Sequence, residues 1–136
     1  MAASFRLRIV TPERQLLDED VEEVTAPGAA GEFGVLPDHI AFLTVLAPGR
    51  LIYKSGGKRH VLAIFGGYAE VADNVMTVLA DGAEPVAEID APRAERELRD
   101  AEAKLAGLDA AAPDVALLRR VVEQSTARLA ATSERI

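Results

Sequence analysis

The sequence predicts a mainly β protein of the α+β class: an N-terminal β-sandwich followed by a C-terminal antiparallel two-helix hairpin. Three observations carry this expectation. The pattern from Phe5 to about Glu84 is strand-like, that stretch is punctuated by frequent Pro and Gly, and after Glu88 the apolar spacing changes to three and four.

The first strand is Phe5, Leu7 and Ile9 alternating with Arg6 and Arg8, which buries one face and wets the other. The acidic run Asp18, Glu19, Asp20, Glu22, Glu23 reads as a solvated strand edge whose like charges discourage sheet-to-sheet association. Breakers then recur at Pro12, Pro27-Gly28, Gly31, Gly34, Pro37-Asp38, Pro48-Gly49, Gly56-Gly57 and Gly66-Gly67, so the strands are short and joined by tight turns. Gly56-Gly57 separates Leu51-Ile52-Tyr53 from His60-Val61-Leu62, and Asp73-Asn74 separates Tyr68-Ala69-Glu70-Val71 from Val75-Met76-Thr77-Val78-Leu79. Both pairs suit two-residue hairpins, which demand positive φ. The unbroken apolar run Val61 to Phe65 suits a strand covered on both sides, and Gly66-Gly67 reads as a bend within a strand.

Asp90 is a good N-cap and Pro92 is tolerated in a first helical turn, where its missing N–H has no partner to lose. Ala94, Leu98, Ala101, Leu105 and Leu108 form one stripe, and the helix stops near Gly107. Pro113-Asp114 opens a second helix with the stripe Val115, Leu118, Val122, Ser125, Leu129 and Thr132. Both stripes are narrow and rich in Ala and small polar residues. At about 25 cal/mol per Å² of apolar area, such a seam gives modest stability, which suits a segment able to open or re-dock. The chain divides into a sandwich over residues 1–86 and a helical hairpin over 87–136.

Composition bounds the function. The chain has 136 residues, 49% hydrophobic and 27% charged, enough apolar surface to build a core. A net charge of −7 and 4% aromatic content argue against a nucleic-acid partner, which needs clustered Lys and Arg or stacking rings. There is no Cys, hence no disulfide or thiolate chemistry. The start, Met1-Ala2-Ala3-Ser4-Phe5, does not read as a signal peptide, and no apolar run approaches the ~20 residues that span a bilayer.

Catalytic chemistry lacks residues. His39 and His60 are the only histidines, which is short of the three or four convergent ligands of a metal enzyme, so no metal site is expected. Neither a Gly-x-Ser-x-Gly nucleophile elbow nor a phosphate loop occurs. His39 reads either as a loop histidine hydrogen-bonded locally or as a partner contact. A binding or interaction module is favoured over an enzyme.

The segment Pro27-Gly28-Ala29-Ala30-Gly31-Glu32-Phe33-Gly34-Val35-Leu36-Pro37-Asp38-His39 is very similar to the signature of ATP synthase epsilon subunits. Leu43-Thr44, Pro48-Gly49, Gly66 to Val71, Val75 to Asp81 and Ile89 to Ala94 follow in the family's order. The resemblance implies a sandwich of two five-stranded sheets, ten strands in all, with the helix pair behind it. It implies a non-catalytic central-stalk subunit of a proton-translocating F-type ATP synthase, peripheral on the cytoplasmic face of the bacterial inner membrane and reaching that membrane only through the complex. Its partners would be the gamma subunit, the c-ring and the alpha-beta hexamer. Gly31, Glu32 and Phe33 would meet the c-ring, with His39 near the gamma and c-ring surface; simple turn geometry explains Gly31 and Gly34 equally well.

In that family the hairpin lies folded on the sandwich or extends into the hexamer and blocks ATP hydrolysis. Some members bind ATP at the hairpin, and Glu84, Ile89, Asp90, Arg93, Ala94 and Arg128 match their pattern. Arg93 can offer its guanidinium to phosphate while Glu84 or Asp90 accepts from adenine or ribose. Two departures weaken the match: Asp100 and Gln124 stand where the pattern has arginines. No cofactor is required, and ATP enters only as a weak regulatory ligand. Asp90 as a plain N-cap and Arg93 as a solvated first-turn residue remains the simpler alternative. The rivals from other classes are a small β-barrel enzyme with a helical tail and a free-standing nucleotide-sensing module.

Overall fold

The computed structural model describes residues 3–133, so the Met1-Ala2 start and residues 134–136 of the predicted hairpin lie outside the described residues. In chain order the strands are β1 (Phe5–Val10), β2 (Gln15–Val21), β3 (Glu23–Gly28), β4 (Gly31–Val35), β5 (Phe42–Ser55), β6 (Lys58–Ala72), β7 (Val75–Ala80) and β8 (Ala83–Pro85). A 3-10 turn at Val86–Glu88 leads to α1 (Ala91–Ala106) and α2 (Val115–Thr132).

Eight strands stand where ten were expected, because β5 and β6 are 14 and 15 residues long and each serves both layers. One layer runs β2-β1-β7, then the C-terminal part of β6 and the N-terminal part of β5. The other runs β4-β3, the C-terminal part of β5, the N-terminal part of β6, and β8. The crossing point of β6 is Gly66-Gly67, with φ of 96° and 127°. A Cβ at Gly67 would collide with the carbonyl oxygen of Leu79 on β7, so only glycine lets the strand change layers there.

The period-two pattern of β1 translates directly into packing. Phe5, Leu7 and Ile9 are buried in a single core with Val24, Val35, Leu51, Leu62, Ile64, Val71, Met76 and Val78, drawn from both layers. Arg6 and Arg8 point outward and meet the acidic strand: Arg6 Nε lies 2.6 Å from Asp18 Oδ1, and Arg8 Nε lies 3.5 Å from the same oxygen. The acidic edge is thus partly neutralised across the β1-β2 pair. Both predicted hairpins form with two positive-φ residues, Gly56 (59°) and Gly57 (77°), then Asp73 (51°) and Asn74 (61°). Asn74 also ties two loops to the sheet, donating to the Ser4 carbonyl at 3.0 Å and accepting from the Asp38 N–H at 2.8 Å.

The run Val61 to Phe65 is covered on both sides. Leu62 and Ile64 enter the sandwich core, while Val61, Ala63 and Phe65 pack under Ala127 and Ala131 of α2. Asp90 caps α1 by accepting from the Arg93 N–H at 3.1 Å, and Gly107 ends it. Ala94 and Ala101 are buried on α1, and Val115 and Ser125 on α2, with Leu98, Leu105, Leu118, Val122 and Leu129 half-buried. Leu108 departs from its expected stripe: it lies beyond the end of α1 and is exposed. Asp114 occupies the cap position of α2 but makes no side-chain cap hydrogen bond.

Candidate functional site

At the root of the hairpin, β8, the 3-10 turn and both helices enclose a cavity of about 300 Å³ lined by Glu84, Glu88, Ile89, Asp90, Arg93, Ala94, Glu97 and Arg128. Glu84 comes from the short strand that β6 holds by pairing Ala63 with Glu84, so its position is set by the sandwich. Arg93 and Ala94 each stand about one turn before Glu97 on α1, at i,i+4 and i,i+3 spacing, so Glu97 neighbours both. Arg128 reaches over from α2. The structure therefore brings together all six residues that the sequence singled out at the hairpin. It adds Glu88, for which the sequence carried no signal, and Glu97, whose spacing of four from Arg93 marks a helix pair but not a cavity wall. Asp100 and Gln124 are not among the lining residues.

The two guanidiniums of the lining are already paired. Arg128 donates from Nε to Glu84 Oε1 at 2.8 Å and from Nη2 to Oε2 at 3.0 Å, a two-pronged contact in which both side chains are less than one-third exposed. Its Nη1 lies 3.7 Å from Glu97 Oε2, and its guanidinium sits 5.0 Å from the Phe65 ring centre. Arg93 Nε donates to Glu97 Oε1 at 2.9 Å. The hydrogen bond to Glu84 holds Arg128 above its ordinary pKa, with the charges of Glu84 and Glu97 adding and burial opposing. With four carboxylates against two guanidiniums, the lining carries a net −2, and an anion entering it must compete with glutamates for both arginines.

A second group of residues lies on β4, the connection that follows it and the start of β5. Gly31 opens β4 after the Ala29-Ala30 turn and Glu32 is exposed on this edge strand. Phe33 packs edge-on against Phe42 at 5.1 Å, and the His39 ring lies 5.7 Å from Phe42 with its Nδ1 2.7 Å from the Ile40 carbonyl. Beside them the surface is apolar. Leu36, Ile40, Leu43, Val45, Tyr68 and Leu79 are each at least half exposed. Val45, Tyr68 and Leu79 are register partners on adjacent strands β5, β6 and β7, so they form one row on the outer face of the sheet. Single exposed apolar residues are ordinary; a row rimmed by others is a docking surface. The sequence alone does not reveal it, because Phe42, Leu43, Val45 and Leu46 form a nearly continuous apolar run, the pattern that also marks a strand covered on both faces.

His60 stacks on Tyr53 at 4.8 Å, and burial, then the nearby Glu19, raises the Tyr53 hydroxyl above its ordinary pKa. Among the described residues no group of three or more His, Cys, Asp or Glu is placed to hold a metal ion, and no helix is long and apolar enough to cross a membrane.

Comparison with known proteins agrees across sequence and fold. The family model for the β-sandwich domain of ATP synthase delta/epsilon chains matches residues 4–86. The ATP synthase epsilon chain of Nitratidesulfovibrio vulgaris strain DP4 is 52% identical over 106 residues, 78% of this chain and 79% of that one. That of Geobacter metallireducens is 50% identical over 108 residues, 79% and 78% of the two chains. In the Euglena gracilis mitochondrial ATP synthase with its c-ring, a chain 30% identical superimposes with a TM-score of 0.76, covering 98% of this chain and 79% of that one. A chain of the Tetrahymena thermophila central stalk and c-ring shares the fold, with a TM-score of 0.62 at 21% identity and coverage of 91% and 95%.

Proposed function

The chain belongs to the ATP synthase epsilon-chain family, and from that premise we propose that it is a non-catalytic central-stalk subunit of a proton-translocating F-type enzyme. Its work is to couple the catalytic part to the c-ring and to restrain ATP hydrolysis through its hairpin. The observation that carries the first half is the exposed row Val45, Tyr68 and Leu79, continued by Leu36, Ile40 and Leu43. A sandwich that has already buried a full core has no internal use for six exposed large apolar side chains, whereas a gamma subunit bound along the rotor axis would cover them. The Gly31-Glu32-Phe33 edge and His39 lie close to this face through the packing of Phe33 and His39 on Phe42, which supports a role for them in the c-ring and gamma contacts.

The second half rests on the character of the hairpin seat. Residues 1–86 form the part that binds gamma and the c-ring, and residues 87–136 the part that regulates. α2 rests on the sheet through small residues, with Ala127 and Ala131 against Val61 and Ala63 and with Ile52, Phe65, Val86 and Ile89 packed around them. A seat that inserts no large helix side chain into the sheet suits an element that docks reversibly. Once released, the hairpin is free to reach the alpha-beta hexamer. The cavity at its root is the site for ATP as a weak regulatory ligand, with Arg93 and Arg128 toward phosphate and Glu84 or Asp90 toward adenine or ribose; prior pairing of both arginines keeps the affinity low. The subunit needs no cofactor for its structural role. It sits at the cytoplasmic face of the bacterial inner membrane through the complex alone.

Replacing Tyr68 by Asp tests the docking face. The variant should fold like the parent, since Tyr68 is 56% exposed, but lose co-purification with gamma; retention of full gamma binding would remove this surface from the account.

A further inference from the structure

Glu97 occupies an unusual position in the hairpin cavity. One of its carboxylate oxygens accepts from Arg93 Nε on its own helix at 2.9 Å, and the other lies 3.7 Å from Arg128 Nη1 on the facing helix. Arg128 in turn is clamped by Glu84 of the sandwich at 2.8 and 3.0 Å. A single chain of charges, Arg93 to Glu97 to Arg128 to Glu84, thus runs from α1 through α2 into β8 and ties three elements together.

We propose that Glu97 is a built-in counter-anion: its carboxylate sits between the two guanidiniums that an incoming phosphate chain would need, so the hairpin is latched onto the sandwich without any bound ligand. This deepens the reading of the cavity as a nucleotide site and rests on the hairpin being an element that leaves the sandwich. The physical reason is geometric and electrostatic together. A triphosphate stabilises a docked hairpin only by bridging cations on both helices, and here a side chain already makes that bridge at no cost in ligand entropy. The same carboxylate repels the phosphate from the position where it would be bound. Glu97 is therefore the one carboxylate that engages both arginines, and it lowers the affinity of the cavity for phosphate beside Glu84, which holds Arg128 alone.

The test uses the full chain and three forms: the parent, Glu97→Gln, and Glu102→Gln. The last removes the same charge from an exposed position on α1 outside the cavity. Calorimetric titration with inorganic tripolyphosphate and with ATP, together with amide hydrogen exchange at Ala127 to Ala131, reads both halves of the proposal. Glu97→Gln should bind tripolyphosphate about fivefold more tightly than the parent or more, as expected for one charge-assisted contact, while Glu102→Gln should match the parent. The parent should show protected amides at Ala127 to Ala131 with no anion present, and saturating tripolyphosphate should add little. If Glu97→Gln binds no more tightly than Glu102→Gln, or if the parent amides become protected only when anion is added, the latch is overturned. If Glu97→Gln gains equally for tripolyphosphate and ATP and the two bind alike, the latch stands and the nucleotide reading of the cavity fails. Protected exchange in the β-sheet core of each variant confirms that the comparison is between folded proteins.

Discussion

Arg128 of α2 and Glu84 of β8 face each other as a two-pronged ion pair, Nε to Oε1 at 2.8 Å and Nη2 to Oε2 at 3.0 Å, across the joint between sandwich and hairpin. Arg128→Gln leaves Glu84 partly buried without its cation, which costs about 2 kcal/mol. The loss should appear as faster amide exchange along α2 with little change in β1 or β7. Equal acceleration in sheet and helix would mean that the pair stabilises the whole fold rather than the docking of the hairpin.

Ser125 is fully buried in α2, and its hydroxyl has no hydrogen-bond partner in the structure. Ser125→Ala removes a buried polar group while keeping the small volume that the helix seam needs, so the hairpin should gain about 1 kcal/mol. Thermal unfolding should show a raised midpoint. A lowered midpoint would show that the hydroxyl is satisfied within its own helix.

Gly67 combines a φ of 127° with a backbone neighbour on β7 in the space a side chain would take. Gly67→Ala should cost more than about 3 kcal/mol, because the conformation and the contact are both unfavourable and the blocking atoms are backbone. Gly31→Ala is the instructive contrast: its φ is 131°, yet open space surrounds the added Cβ, so only the conformational part applies. Chemical denaturation should rank Gly67→Ala well below Gly31→Ala in stability.

The hydrogen bond from Arg6, then its charge and that of Arg8, holds the Asp18 carboxyl below its ordinary pKa, against some desolvation. A depressed folded value means that the contact favours folding above about pH 4 and that this contribution disappears as pH falls through the folded value. Asp18→Asn should therefore be less stable than the parent at neutral pH, with the difference shrinking on acidification. A difference independent of pH would assign the loss to packing at β2 instead of charge.

The sandwich was legible because its signals were local. Alternation at Phe5, Leu7 and Ile9 and the turn pairs at Gly56-Gly57 and Asp73-Asn74 each fix a conformation within a few residues. The bend at Gly66-Gly67 was legible too, whereas the number of strands was not, since whether Pro48-Gly49 ends a strand or bends it depends on what lies across the sheet. The seat of α2 was missed for a similar reason. Ala127 and Ala131 carry weak apolar signal, and their burial is decided by Val61 and Ala63, more than 60 residues away in sequence. In the cavity, the residues matching the family's pattern were found, but Glu97 was not, because a glutamate four residues after an arginine ordinarily reads as a surface helix pair.

The most direct test of the account is ATP hydrolysis by the reconstituted synthase carrying either the full chain or residues 1–86. Both forms should assemble, since gamma and c-ring binding lie in the sandwich, and the truncated form should hydrolyse ATP faster because the restraining hairpin is gone. Equal hydrolysis rates in two fully assembled complexes would contradict a regulatory hairpin, and failure of residues 1–86 to assemble would contradict the division of labour between the two parts.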